Sequence, residues 1–334
     1  MIYIIISLLL LFIVALYKNS ICKSTAESAQ YLSLYNTNQI KGFFALLILL
    51  HHICQILHND FGFFNMGPLA VSIFFFFSGY GLMYKLTSDS TYLSTFFKKR
   101  ILKIFFPFIC VYILNIFIHY TEGKTYTLIE ILKSFVNGCP FAMWLWFVIF
   151  LLMFYIVFWV LAMITNKHPN KIMILSTVFL IIWCIFCAWR KFSPSWTLSC
   201  FSIVLGMLWR VKEDNINKKM SQHYFPFLLF FLILCSVCHY IYTLVLYPSG
   251  WLFGVMSSLS FVIVVIMINY KFQNKNRILQ AFGKISFELY IIHPIFVNLF
   301  RGNNIYIVND FAYYLISLFT SIVISWIVYK LLHR

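Results

Sequence analysis

At 334 residues, 62% hydrophobic and only 10% charged, the chain is too apolar for a soluble globule, in which about a quarter of residues carry charge. Its formal charge of +16 would suit a nucleic-acid partner in a soluble protein. Here the Lys and Arg residues punctuate long apolar stretches, which excludes that class and defines an integral membrane protein.

In chain order, stretches able to cross a hydrocarbon core about 30 Å thick run over 2–17, 40–58, 67–85, 101–119, 143–164, 171–189, 195–210, 224–246, 250–270, 286–300 and 311–332. All eleven are read as helices, because a span must satisfy its own backbone in lipid and the period-two alternation of a barrel is missing. The expected fold is therefore all-α, a polytopic transmembrane helical bundle. Residues 1–37 read as an anchor helix and its connection, retained because no basic n-region or A-x-A-like site marks it for cleavage; residues 38–334 read as the membrane domain. The connections are too short to hold a separate soluble domain, so chemistry belongs inside the bundle or at its mouths.

Alternate connections place Lys18, Lys23, Lys41, the run Lys85 to Lys103, Lys167, Lys171, the run Arg210 to Lys219, the run Lys271 to Lys284, Lys330 and Arg334 on one side. Only Lys124, Lys133, Arg190, Lys191 and Arg301 fall opposite. The basic side is expected in the cytoplasm with the C-terminus, and the N-terminus outside, as in a multi-pass cell-membrane protein. The C-x-x-C pairs Cys184-Cys187 and Cys235-Cys238 lie in apolar stretches and read as small buried hydrophobes, so no metal or disulfide is assigned.

Five constellations break the apolar pattern. His51-His52 lies in the second stretch, and an ionisable group at membrane depth is a functional candidate by default. Lys41 precedes His52 by eleven residues, which puts the two on nearly one helical face about 16 Å apart. Gly67 to Tyr80 ends in Ser78-Gly79-Tyr80, where a hydroxyl and a missing side chain allow close approach of a ligand or of another helix. Phe96, Arg100, Lys103 and Pro107 put two cations on one face at the basic edge, suited to phosphate but equally to topology. Trp144-Leu145-Trp146-Phe147 opens a span where tryptophans ordinarily anchor helices. Last comes Gly283 to Pro294, with Ser286, Tyr290 and His293; of the nine acidic residues, only its Glu288 lies within a stretch. Glu288 suits orienting an imidazole or taking up a proton, or snorkelling to the edge.

Together these motifs resemble the acyltransferase-3 family of membrane acyltransferases, over roughly residues 38 to 332 and ten of the eleven stretches. The resemblance implies an O-acyltransferase that moves an acyl group, expected to be acetyl, from cytoplasmic acetyl-CoA to a hydroxyl of a surface polysaccharide or its lipid-linked precursor. It implies catalytic roles for His52 and Glu288. Lys41, Arg100 and Lys103 would hold the CoA phosphates, while Ser78, Gly79, Tyr80, Trp146 and His293 would contact substrate. His52 could serve as general base or carry the acyl group transiently. A glycan exporter or flippase of the same family is the competing expectation, with His52 and Glu288 as a proton relay.

Overall fold

The computed structural model describes residues 2–17, 19–21, 30–57, 66–136, 144–245, 249–274 and 276–333. Lys18, Lys23, Lys275 and Arg334, used in the charge alternation, lie outside the described residues. Helices dominate: α1 (Ile2–Leu16), α2 (Leu34–Ile56), α3 (Met66–Ser88), α4 (Tyr92–Thr121), α5 (Leu128–Val136), α6 (Trp146–Ile164), α7 (Pro169–Trp189) and α8 (Ser195–Leu198). They continue with α9 (Ser202–Val211), α10 (Glu213–Leu244), α11 (Trp251–Lys271), α12 (Arg277–Lys284), α13 (Ser286–Leu299) and α14 (Asp310–Leu332). Two three-residue strands, β1 (Asn19–Ile21) and β2 (Phe272–Asn274), pair antiparallel as a small ribbon.

The apolar stretches fall on helices, that over 195–210 on the two short ones α8 and α9, and eight helices of the described residues are long and apolar enough to cross a membrane. Ile5–Leu16, Ser195–Val211 and Ser286–Leu299 are shorter apolar segments. The chain is a multi-pass helical bundle.

Where helix ends depart from hydropathy, local chemistry explains the shift. α2 starts six residues early because Ser33 caps it, its hydroxyl accepting from the Asn36 amide at 3.4 Å. α10 begins at Glu213, inside the expected 211–223 connection; Glu213 and Asp214 in its first turn complement the helix dipole, although the segment is polar. The backbone breaks at His223 (φ −131°, ψ 37°), three residues before Pro226, whose ring cannot tolerate a regular preceding turn. α4 also starts early, at Tyr92, and contains a π turn over Phe97–Ile101. α1 is docked rather than detached: Phe12 packs on Phe43 with centroids 5.6 Å apart, and the Asn276 amide donates to the Val14 carbonyl at 2.6 Å.

α2 and α3 form the centre of the bundle, while α10 is the least buried long helix. Glycines set the closest approaches. A Cβ at Gly42 would strike the backbone of Leu279 and Gly283, and one at Gly283 would strike that of Asn38, so α2 and α12 touch backbone to backbone. Gly79 against Ile203 and Gly206 against Phe76 do the same for α3 and α9. The first pair brings Lys41 and Lys284, each next to a glycine, into one cleft. Gly42→Val should therefore separate α2 from α12 and destabilise the fold by about 1–3 kcal/mol, the usual cost of overpacking. A thermal-stability measurement on detergent-solubilised protein checks this, with a lowered midpoint expected.

Candidate active site

At the basic end of the bundle, α2, α3, α4, α6, α12, α13 and the end of α14 surround a cavity of about 470 Å³. Lys41, Lys99, Arg100, Lys103 and Lys284 line it, with Glu288 the single carboxylate among the described lining residues. The cations are held in place. Lys41 Nζ lies 5.4 Å over the Phe77 ring, and Arg100 Nε donates to the Tyr92 hydroxyl at 3.1 Å. Arg100 sits on the π turn, where the widened winding moves it relative to a regular helix while Lys103, three residues on, still reaches the same cavity. Glu288 Oε1 lies 3.9 Å from His333 Nδ1, and its buried Oε2 has no hydrogen-bond partner among the described residues.

Along α13, Ser286, Glu288 and Tyr290 line the cavity in succession, and His293 follows one turn deeper. The Tyr290 ring lies 5.1 Å from Phe147 and 5.9 Å from His293, closing the inner end. Beyond it the His52 ring stacks on Trp144 (centroids 4.1 Å, planes 20° apart) and on His293 (5.1 Å, 15°), with His51 at 5.0 Å. All three histidines are buried.

Hydrogen bonds choose the tautomers. His293 Nδ1 lies 2.9 Å from the Leu289 carbonyl, which only accepts, so Nδ1 carries the proton and Nε2 keeps its lone pair. Nε2 has no hydrogen-bond partner among the described residues. His52 Nδ1 lies 2.8 Å from Gln55 Oε1, and with the amide oxygen placed there, Nε2 is again the basic nitrogen. Trp144, which covers His52, has φ +65°, a region bulky residues seldom occupy. The Tyr290 hydroxyl fixes it by donating to the Trp144 carbonyl at 2.5 Å.

The sequence candidates thus divide into groups. Lys41, Ser78, Arg100, Lys103 and Glu288 meet in the basic cavity, and His52 and His293 meet just beyond it. Glu288 pairs with His333 rather than with His52, so it does not orient the central imidazole. Gly79 faces the α9 backbone, and the Tyr80 hydroxyl binds both Glu213 oxygens at 3.0 Å, where Arg210 Nη1 also bonds at 3.0 Å. Neither lines the cavity. Trp146 packs on Trp196 (5.9 Å) and Phe75 (6.3 Å), also away from it. Sequence reasoning passed over three residues: Trp144, two positions from the tryptophan it chose; Gln55, the polar residue one turn after His52; and Tyr290, quoted in a motif without a role.

Basic side chains at one mouth and stacked imidazoles in the apolar interior define a membrane bundle equipped for polar chemistry at depth. The chain belongs to the acyltransferase-3 family: that family's model, an acyltransferase domain, matches residues 34–330. It is a membrane acyltransferase. Comparison with curated proteins and with solved structures returned no match.

Gln55→Leu removes the acceptor that fixes the His52 tautomer while keeping side-chain bulk. Acyl transfer in membranes should fall about tenfold, the scale of one lost buried hydrogen bond, with protein level unchanged by immunoblot. Gln55→Glu, which still accepts the Nδ1 proton, should retain more activity.

Proposed function

We propose that the protein transfers an acetyl group from cytoplasmic acetyl-CoA to a hydroxyl of a cell-surface polysaccharide or its lipid-linked precursor. The supporting observation is the order of groups along α13: a cationic cavity, then Tyr290, then the His52–His293 stack. CoA carries a diphosphate and a 3′-phosphate that cannot enter lipid. Arg100, Lys103 and Lys41 would hold those phosphates at the mouth, bidentately in the case of Arg100, with Ser78 against the donor. The thin pantetheine arm would then run inward, displacing the Tyr290–Trp144 layer to bring the thioester to His52. The cationic mouth lies on the basic side, in keeping with donor entry from the cytoplasm.

Two routes use the same His52 atom. As general base, Nε2 takes the acceptor's hydroxyl proton while the alkoxide oxygen attacks the thioester carbonyl; the C–S bond then breaks and the proton passes to the departing CoA sulfur. As nucleophile, Nε2 attacks the thioester carbonyl and the C–S bond breaks, releasing CoA as thiolate; the acceptor oxygen then takes the acyl group as the C–N bond to the imidazole breaks, and the hydroxyl proton passes to the CoA sulfur. Either way Trp144 and His293 hold the ring plane by stacking. Glu288 lies at the donor end, where it would take up a proton rather than steer His52. Tyr80, Gly79 and Trp146 would act on substrate only through the helix positions they fix.

His52→Ala should abolish the ester-linked acetate that mild base releases from the surface glycan, with the protein still inserted. Wild-type acetate in that variant refutes the assignment. Arg100→Ala should raise the acetyl-CoA concentration for half-maximal transfer about tenfold or more, the scale of a charge-assisted phosphate contact, and change acceptor dependence far less. Titration of each substrate in isolated membranes distinguishes the two effects.

A further inference from the structure

A second cavity, of about 440 Å³, lies at the opposite end of α4 and α13 from the basic one. Asn115 and His119 of α4 line it, with Glu122 and Tyr126 just after that helix and Asn298 near the end of α13. The fifteen residues from Arg100 to Asn115 place it about 22 Å along α4 from the donor cations. Along α13, Asn298 stands five residues beyond His293, about 7.5 Å. The imidazole stack therefore sits between two cavities built on the same two helices.

The chemistry of the second cavity differs from that of the first. Its charges are neutralised internally: Lys124 Nζ lies 3.3 Å from Glu122, and Arg301 pairs with Asp310 while lying between the rings of Tyr306 (4.9 Å) and Tyr313 (4.7 Å). What remains is hydrogen-bonding capacity. Asn115 and Asn298 each donate one amide hydrogen back to their own helix, at Val111 (2.9 Å) and Pro294 (2.6 Å), which fixes the side chain. By inventory, each keeps a second N–H and the carbonyl oxygen. His119 Nδ1 lies within hydrogen-bonding range of the Tyr126 hydroxyl, at 3.1 Å, and presents an aromatic surface with it. One wall is a hairpin, Arg301 bridged to Tyr306, which the Asn304 amide ties to the Thr121 carbonyl at 2.9 Å. Gly302 lets the Glu122 carboxylate tuck beneath that hairpin, since a Cβ there would meet Oε1.

We propose that this cavity is the acceptor subsite and binds a neutral, polyhydroxylated sugar ring, a deepening that rests on the acyl-transfer reading above. Paired charges disfavour a phosphate or another anion, while fixed amides, a carboxylate and aromatic faces match the hydroxyls and C–H faces of a saccharide. Its position on α13 aims a bound hydroxyl toward the His293–His52 stack from the side opposite the donor.

The test measures binding rather than turnover, on the full chain in lipid nanodiscs. The probes are surface polysaccharide from cells that carry the protein, stripped of esters with mild base, and acetyl-CoA. Asn298→Ala, and Asn303→Trp at an exposed position lining the cavity, should each weaken polysaccharide binding at least tenfold and leave acetyl-CoA binding within twofold. If Asn298→Ala loses both ligands through misfolding, Asn303→Trp decides, because it removes no buried contact. Unchanged polysaccharide binding in Asn303→Trp, or no polysaccharide binding by the wild type, overturns the subsite. Wild-type protein that binds both probes yet transfers no acetate leaves the subsite standing and defeats the acyl-transfer reading instead.

Discussion

The burial of His51, His52 and His293 among apolar helices is the constraint on which the rest of the structure depends. In lipid an imidazole without partners is costly, and the bundle answers with stacking and local hydrogen bonds. Trp144 covers one face of His52, His293 packs against it, Gln55 binds its Nδ1, and the Leu289 carbonyl binds that of His293. In His52 and His293 these bonds occupy Nδ1, so the lone pair of both rings is left on Nε2. The contacts that make burial tolerable also fix the orientation of the His52 and His293 rings.

That arrangement requires close helices, and glycine supplies them. Gly42 and Gly283 let α2 and α12 meet at their backbones, carrying Lys41 and Lys284 into the cleft, while Gly79 and Gly206 seat α3 on α9. The lysines are thus positioned by their neighbours in sequence. The same economy holds at Tyr80, whose hydroxyl binds Glu213 and ties the second half of α3 to the start of α10.

The fold was largely legible because hydropathy decides which segments enter lipid, and the apolar stretches fall on helices. Helix ends were less so: the polar first turns of α10 and the Ser33 cap of α2 depend on local hydrogen bonds and dipoles to which hydropathy is blind. The candidate site divided along similar lines. Lys41, Arg100, Lys103, Ser78 and Glu288 come from four helices and share one cavity; only the three-residue spacing of Arg100 and Lys103 was legible as a common face. Gly79 and Tyr80 belong to helix contacts, which sequence cannot separate from ligand contacts when both need a small or polar residue. Trp144 was hidden for another reason: its role rests on a positive φ that brings the indole over His52, and one residue type at one position carries no sign of that turn.

One consequence lies in the length of α13. Fourteen residues rise about 21 Å, short of a hydrocarbon core of about 30 Å, and cavities open at both of its ends. Where aqueous vestibules indent a bilayer from both sides, the voltage drop concentrates across the thin septum left between them. A proton crossing from one vestibule to the other past His52 would traverse most of that drop, worth about 2.3 kcal/mol per 100 mV.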